Sequence, residues 1–189
     1  MAPAKKAPTQ TVYQLKITLS GARPPIWRRV QVASNITLGK LHKIIQVAMG
    51  WYSCHMHEFE ILGEAYGEPM PEYDLDIRSE RNVRLNTFVT GEKFKFAYVY
   101  DMGDSWDHQI LVEKVLPADP EVRYPICIKG KRACPPEDCG GVWGYAELLE
   151  TLSDPENPEH EEMLEWVGGD FDAEAFDLAS TNQQLKQIR

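Results

Sequence analysis

Apolar residues alternate with polar ones at period two in several separate segments of the 189-residue chain, and this restricts the fold to one built on a half-buried sheet. In VYQLKITL (12–19), Tyr13, Leu15, Ile17 and Leu19 share a face. SGARPP then breaks the pattern, and IWRRVQV resumes it with Trp27, Val30 and Val32, so a short antiparallel hairpin is expected with Pro24 and Pro25 in its turn. The period next changes. In TLGKLHKIIQVAMGW, Leu38, Leu41, Ile44, Ile45 and Ala48 recur at three and four, which predicts a helix capped by Thr37 and ended by Gly50. His42 falls beside Leu41 and is expected at the helix surface or its boundary.

Alternation returns in HMHEFEIL (55–62), where His55, His57, Phe59 and Ile61 are expected on one face of a strand. Residues 63–92 are polar and turn-rich and predict a long loop with one short strand around Val83 to Leu85. KFKFAYVY and SWDHQILVEKV then form a second hairpin across the turn DMGD. Glycine and proline in ICIKGKRACPPEDCGGVWGY argue against regular structure over most of its length. Three helices should follow, in GYAELLETL, in NPEHEEMLEWVG with its asparagine cap, and in FDAEAFDLASTNQQLKQI with Asp172 as cap. The expected class is α+β: a mostly antiparallel sheet with an early helix packed on it, compatible with an elaborated β-grasp, and a C-terminal helical segment. A disordered tail over 1–11 and a single domain over 12–189 complete the expected organisation.

Hydrophobic residues make up 43% of the chain, enough for a sizeable core. No apolar run is long enough to cross a membrane, and MAPAKKAPTQ lacks the apolar segment of a secretory signal, so a cytoplasmic location is expected with reduced cysteines. The net charge of −9 is unevenly spread: residues 133–189 carry fourteen acids against Lys186 and Arg189 alone. Such an acidic C-terminal region repels phosphate backbones and argues against nucleic acid as a partner. Arg28, Arg29 and the run Lys129 to Arg132 are read as solvated surface, with a local basic patch as the alternative.

Candidate chemistry clusters in three places. The first is VYDMGDSWDHQILVEK (99–114), where Asp101, Asp104, Trp106 and His108 surround a turn that needs only Gly and Asp for backbone reasons. His108 shares a face with Trp106 and Ile110, so its imidazole requires a hydrogen-bond partner or a metal, and Asp101 or Asp104 can supply one. The plainer alternative has both aspartates serving the turn and His108 bonding a nearby carbonyl. The second is PPEDCGG, which fixes Glu137 and Asp138 between a rigid diproline and a flexible diglycine. The third is the set Cys127, Cys134 and Cys139 with His55, His57 and His108: three thiols and one imidazole fit one zinc ion, although C-x6-C-x4-C is looser than paired zinc knuckles and buried free thiols remain the alternative. No nucleophile elbow, phosphate loop, dinucleotide fingerprint or H-E-x-x-H is present.

Taken together, YDMGDSWDHQILVEKV, YPICIKGKRACPPEDCGGVWGY, MLEWVGGDFDAEAFDL, WRRVQV and GWYSCHMHEFEI resemble the plasmid Ri Orf-three-like family, also labelled insertion-element passenger or TnpR-like proteins. The resemblance spans about Val12 to Leu185 and implies a compact α+β domain, found in bacteria and archaea and often encoded on mobile elements, with no catalytic assignment to carry over. The resolvase-like label is unsupported, since no serine-recombinase motif is present. The expected function is a binding or regulatory module, leaning away from enzyme activity, for a small-molecule or peptide ligand. Its pocket would draw on His57, Asp101, Asp104, Trp106, His108, Glu137, Asp138 and Trp143, with aromatic walls and carboxylates that orient a cationic or hydroxylated group. The alternatives are a metal-dependent hydrolase built on His55, His57 and His108, with Asp104 or Glu137 as base, and a protein-docking module that uses the acidic helical tail.

Overall fold

The computed structural model describes residues 10–69 and 76–188. The chain opens with strands β1 (Thr11–Leu19) and β2 (Trp27–Ala33), helix α1 (Leu38–Met49), and strands β3 (His57–Ile61), β4 (Glu64–Gly67) and β5 (Arg78–Ser79). Strands β6 (Lys95–Tyr100), β7 (Trp106–Pro117) and β8 (Ile126–Lys131) follow, then helices α2 (Gly141–Ser153), α3 (His160–Trp166) and α4 (Leu178–Leu185). Among the described residues the strands form one sheet in the order β5-β4-β3-β6-β7-β1-β2-β8, antiparallel except for β4–β5. This is the mostly antiparallel α+β architecture expected, with the early and C-terminal helices in place. No helix among the described residues is long and apolar enough to cross a membrane.

One face of the sheet carries the core, because directly opposed residues in antiparallel pairs point the same way. Leu15 lies between Val30 and Val112, Ile17 faces Ile110, and Phe59, Tyr98 and His108 line up across β3, β6 and β7. Helix α1 covers this face with Leu38, Leu41, Ile44, Ile45 and Ala48 buried. Its ends are those expected: Thr37 accepts the Lys40 amide, and Gly50 is left-handed at φ 107° with its N–H on Gln46 O. The opposite face is polar, with Arg29 paired to Glu113 and Gln14 bridging Glu113 and Gln31.

Several local expectations change. Strand β3 starts at His57, leaving His55 in the bend before it, so the two histidines do not share a strand face. The polar stretch after β3 folds back immediately as β4, because Leu62 and Gly63 both take positive φ (55° and 81°), as the tight hairpin turn requires. Around Val83 to Leu85 there is only a bridge from Arg84 to Thr37 and a short 3-10 turn at Leu85–Thr87, while the strand lies earlier, at β5. ICIKGK, expected to be irregular, is edge strand β8 on β2. Its outer side is covered by Asn182 of α4, whose side chain donates to Cys127 O and accepts the Cys127 N–H, both at 2.8 Å. A side chain thus takes the place of a ninth strand at this edge. Helix α3 is capped at Glu159 instead of Asn157, and α4 at Asp177, whose carboxylate accepts the Ser180 amide; Asp172 holds only a turn through Glu174 N–H. The expected tail over 1–11 lies outside the described residues as far as residue 9, and Thr11 is already paired with Pro117.

The basic-patch and solvated-surface readings both fail for Arg28. Arg28 faces Ile17 on the core side and is 1% exposed. Its guanidinium donates to Ala48 O, Trp27 O and Lys131 O and lies 4.0 Å from the Phe176 ring, so it ties β2, α1, β8 and the approach to α4 together. Arg29 pairs with Glu113 and the buried Arg132 with Glu174, while Lys129 and Lys131 stay exposed on the face that carries Arg29.

Candidate functional site

The β6–β7 turn decides where the candidate residues go. Asp101 is left-handed (φ 57°), and its Oδ1 accepts the amides of Gly103 (2.9 Å) and Asp104 (3.4 Å), so this aspartate shapes the turn. The loop then presents its carboxylates in two directions.

Toward β3, Asp101 meets the PPEDC turn. Trp51 Nε1 donates to Pro135 O and so anchors that turn at the C-terminal end of α1. Glu137 is held by the Tyr52 amide (2.8 Å) and by the Tyr100 hydroxyl, and Tyr100 OH in turn accepts the Cys54 amide. Burial and the Glu137 carboxylate push the Tyr100 phenol well above its ordinary range, so it remains a donor. His55 Nε2 then lies 3.7 Å from Asp101, 3.6 Å from Glu137 and 3.1 Å from Asp138. Three chain-distant segments thus meet around one imidazole.

On its other side the hairpin packs against α2. Asp104 Oδ2 accepts the Gly140 amide, placing a carboxylate at the start of α2, where the cap residue has no side chain of its own. The approach is so close that a Cβ on Gly141, already at φ 70°, would lie 2.5 Å from Asp104 O. Beside this junction a cleft of about 590 Å³ opens between Ser20–Arg23, the hairpin and α2. Val142, Trp143, Ala146 and Leu149 form its apolar wall, and Asp104, Asp107 and Arg23 supply its charges. Trp143 is 84% exposed, an uncommon position for an indole on a helix with a buried face. Asp107 and Arg23 have no ion-pair partner among the described residues.

The remaining candidates lie elsewhere. Trp106 is fully buried against Trp51 and does not line the cleft. His108 is 1% exposed, turns Nδ1 toward Tyr98 O and packs on Trp51; neither Asp101 nor Asp104 partners it. Burial lowers it to about 4, so the imidazole is neutral. His57 bonds Glu80 at 2.9 Å and stacks on His42, with ring centroids 3.5 Å apart. His55, His57 and His108 therefore occupy three separate environments, and the arrangement expected of the histidine-cluster hydrolase is not formed. Nor do the cysteines assemble: among the described residues the one set of three metal-capable donors within mutual reach is His55, Asp101 and Asp138. Burial raises all three thiols, Cys139 to about 12, as expected of free cysteines packed into the protein.

Sequence reasoning missed His42, Glu80, Tyr98 and Tyr100. His42 is buried, not peripheral: the Tyr98 hydroxyl accepts a hydrogen bond from Gln46 Nε2 and donates one to His42 Nδ1, which leaves the His42 N–H on Nε2, facing Ser53 Oγ. Burial, then the neighbouring His57, lowers His42 to about 3. Gly39 leaves room for the His57–Glu80 pair, since a Cβ there would lie 3.0 Å from Glu80 Oε1.

A family model described as plasmid pRiA4b ORF-3-like protein matches residues 11–180. Uncharacterized protein y4hQ of Sinorhizobium fredii (strain NBRC 101917 / NGR234) is 39% identical over 181 residues, covering 94% of this chain and 92% of its own. The crystal structure of MM3350, a protein of unknown function from Methanosarcina mazei Go1, superposes with a TM-score of 0.82 at 43% identity, covering 89% of this chain and 96% of that one.

Proposed function

From the premise that the chain belongs to the plasmid pRiA4b ORF-3-like family, whose relatives here carry no assigned activity, we propose that it is a binding module. Its ligand is a small molecule or peptide side chain that joins a cationic group to an aromatic or aliphatic body, seated in the cleft between the DMGDSWDH hairpin and α2. The observation that carries this reading is the exposed indole of Trp143 in an apolar wall, set beside the carboxylates of Asp104 and Asp107. An indole face attracts a cation by about 0.5–2 kcal/mol, more as water is excluded. The cleft volume lies in the range of small-ligand pockets. Two carboxylates against the single Arg23 leave the walls net negative, and the acidic C-terminal third adds to the attraction.

Titration of the full chain with phenethylammonium, and with the uncharged phenethyl alcohol as its isostere, tests the reading by indole fluorescence and amide chemical shifts. The ammonium should bind in the cleft, Asp107→Asn should weaken it about tenfold, and Trp143→Ala should weaken it further. Equal binding of the alcohol, or an affinity indifferent to both substitutions, would overturn the proposal.

A further inference from the structure

We infer that His55, Asp101 and Asp138 bind one first-row divalent metal ion through nitrogen and oxygen donors, with the Glu137 carboxylate beside them, at a site apart from the cysteines and from the cleft. Donors at about 2.0–2.2 Å around a tetrahedral ion stand about 3.3–3.6 Å from one another. The distances from His55 Nε2 to Asp138 and Asp101, at 3.1 and 3.7 Å, bracket that spacing, and the three donor atoms all lie within 4.8 Å of one another. Neither contact has hydrogen-bond geometry, so the imidazole nitrogen aims between the carboxylates instead of at either one of them.

Asp101 supplies an independent indication. It is only 7% exposed, both of its amide hydrogen bonds fall on Oδ1, and Oδ2 accepts none while facing His55. That free oxygen reaches the solvent-open side of the cluster and faces the imidazole, so it is available to a cation. Imidazolium alone falls short, because a single positive charge leaves three carboxylates with a net charge of −2, whereas a divalent ion beside neutral imidazole halves that excess. The outer shell is also in place: backbone amides orient Asp101 as the partners of metal ligands do, and Glu137, held by the Tyr52 amide and the Tyr100 hydroxyl, adds a fixed negative charge beside the site. Asp138, with its side chain 70% exposed, leaves one side open to solvent. Mixed imidazole and carboxylate donors suit Zn²⁺ or Mn²⁺ better than Ca²⁺, which takes oxygen alone.

The test is calorimetric titration of chelator-stripped full-length protein with Zn²⁺, and with Ca²⁺ for comparison, backed by Co²⁺ absorption. One Zn²⁺ per chain is expected, with Ca²⁺ far weaker and a Co²⁺ spectrum free of thiolate charge-transfer bands. Asp138→Asn, at an exposed position, and His55→Gln should each weaken Zn²⁺ by at least about tenfold with unchanged circular dichroism, and Trp143→Ala should leave it unaltered. Absence of a stoichiometric ion, thiolate bands with Co²⁺, Ca²⁺ binding as tight as Zn²⁺, or affinity unchanged in both site variants would each overturn the inference.

Discussion

Three buried basic side chains show how much a single residue decides in this protein. Arg28 has no carboxylate partner, yet its charge is accommodated by three carbonyls and an aromatic face, and burial lowers it from the usual arginine value without neutralising it. His42 and His108 follow the opposite course and stay neutral, at about 3 and about 4, both chiefly through burial. Between those values and the ordinary imidazole value near 6.5 the unfolded chain takes up protons that the folded chain refuses, so stability rises with pH across that window and is lost as pH falls through it. Each histidine can contribute at most about 1.4 kcal/mol per pH unit. Urea midpoints should therefore drop from pH 7 to pH 5, and His108→Gln, less stable at neutral pH, should show a shallower drop. An unchanged slope in that variant would mean that His108 takes up its proton in the folded state as well.

Among the elements, β8 shows most clearly how a short segment is held by something far away. Its hydrogen-bonding partner on one side is β2, and on the other it is one amide side chain of α4. Asn182→Ala should leave the Cys127 N–H and C=O without partners and cost about 1–3 kcal/mol. The measurement is paired: urea denaturation for the loss, and amide hydrogen exchange for its location, with the Cys127 amide exchanging faster than its β2 neighbours. Protection of that amide equal to wild type would show that the clamp is dispensable. The β6–β7 loop works in a comparable way, since one turn supplies Asp101 to His55 and Asp104 to the start of α2.

At the scale of the whole molecule, charge and topology act together. The acidic C-terminal third supplies α2, so the wall of the cleft belongs to the most negative part of the chain. Affinity for phenethylammonium should accordingly fall as ionic strength is raised, because the screening length contracts from about 30 Å at 0.01 M to about 3 Å at 1 M, while weak binding of the neutral alcohol should not change. A salt-independent affinity for the ammonium would place its recognition in apolar contact alone. The alternation of Tyr13, Leu15, Ile17 and Leu19, the three-four spacing in α1 and the paired hairpins were legible in the chain by itself, since each is a local periodicity that side-chain burial enforces. Asp101, Glu137 and Asp138 also stood out in the chain, marked as candidates by stiff or tight turns. Which partners those carboxylates meet was decided only in three dimensions: the bend before β3 turns His55 toward them, while strand geometry sends His57 to Glu80 and His108 into the core. Periodicity reports which face of an element is buried, whereas contacts between elements depend on sheet order and on turns whose consequences appear many residues away.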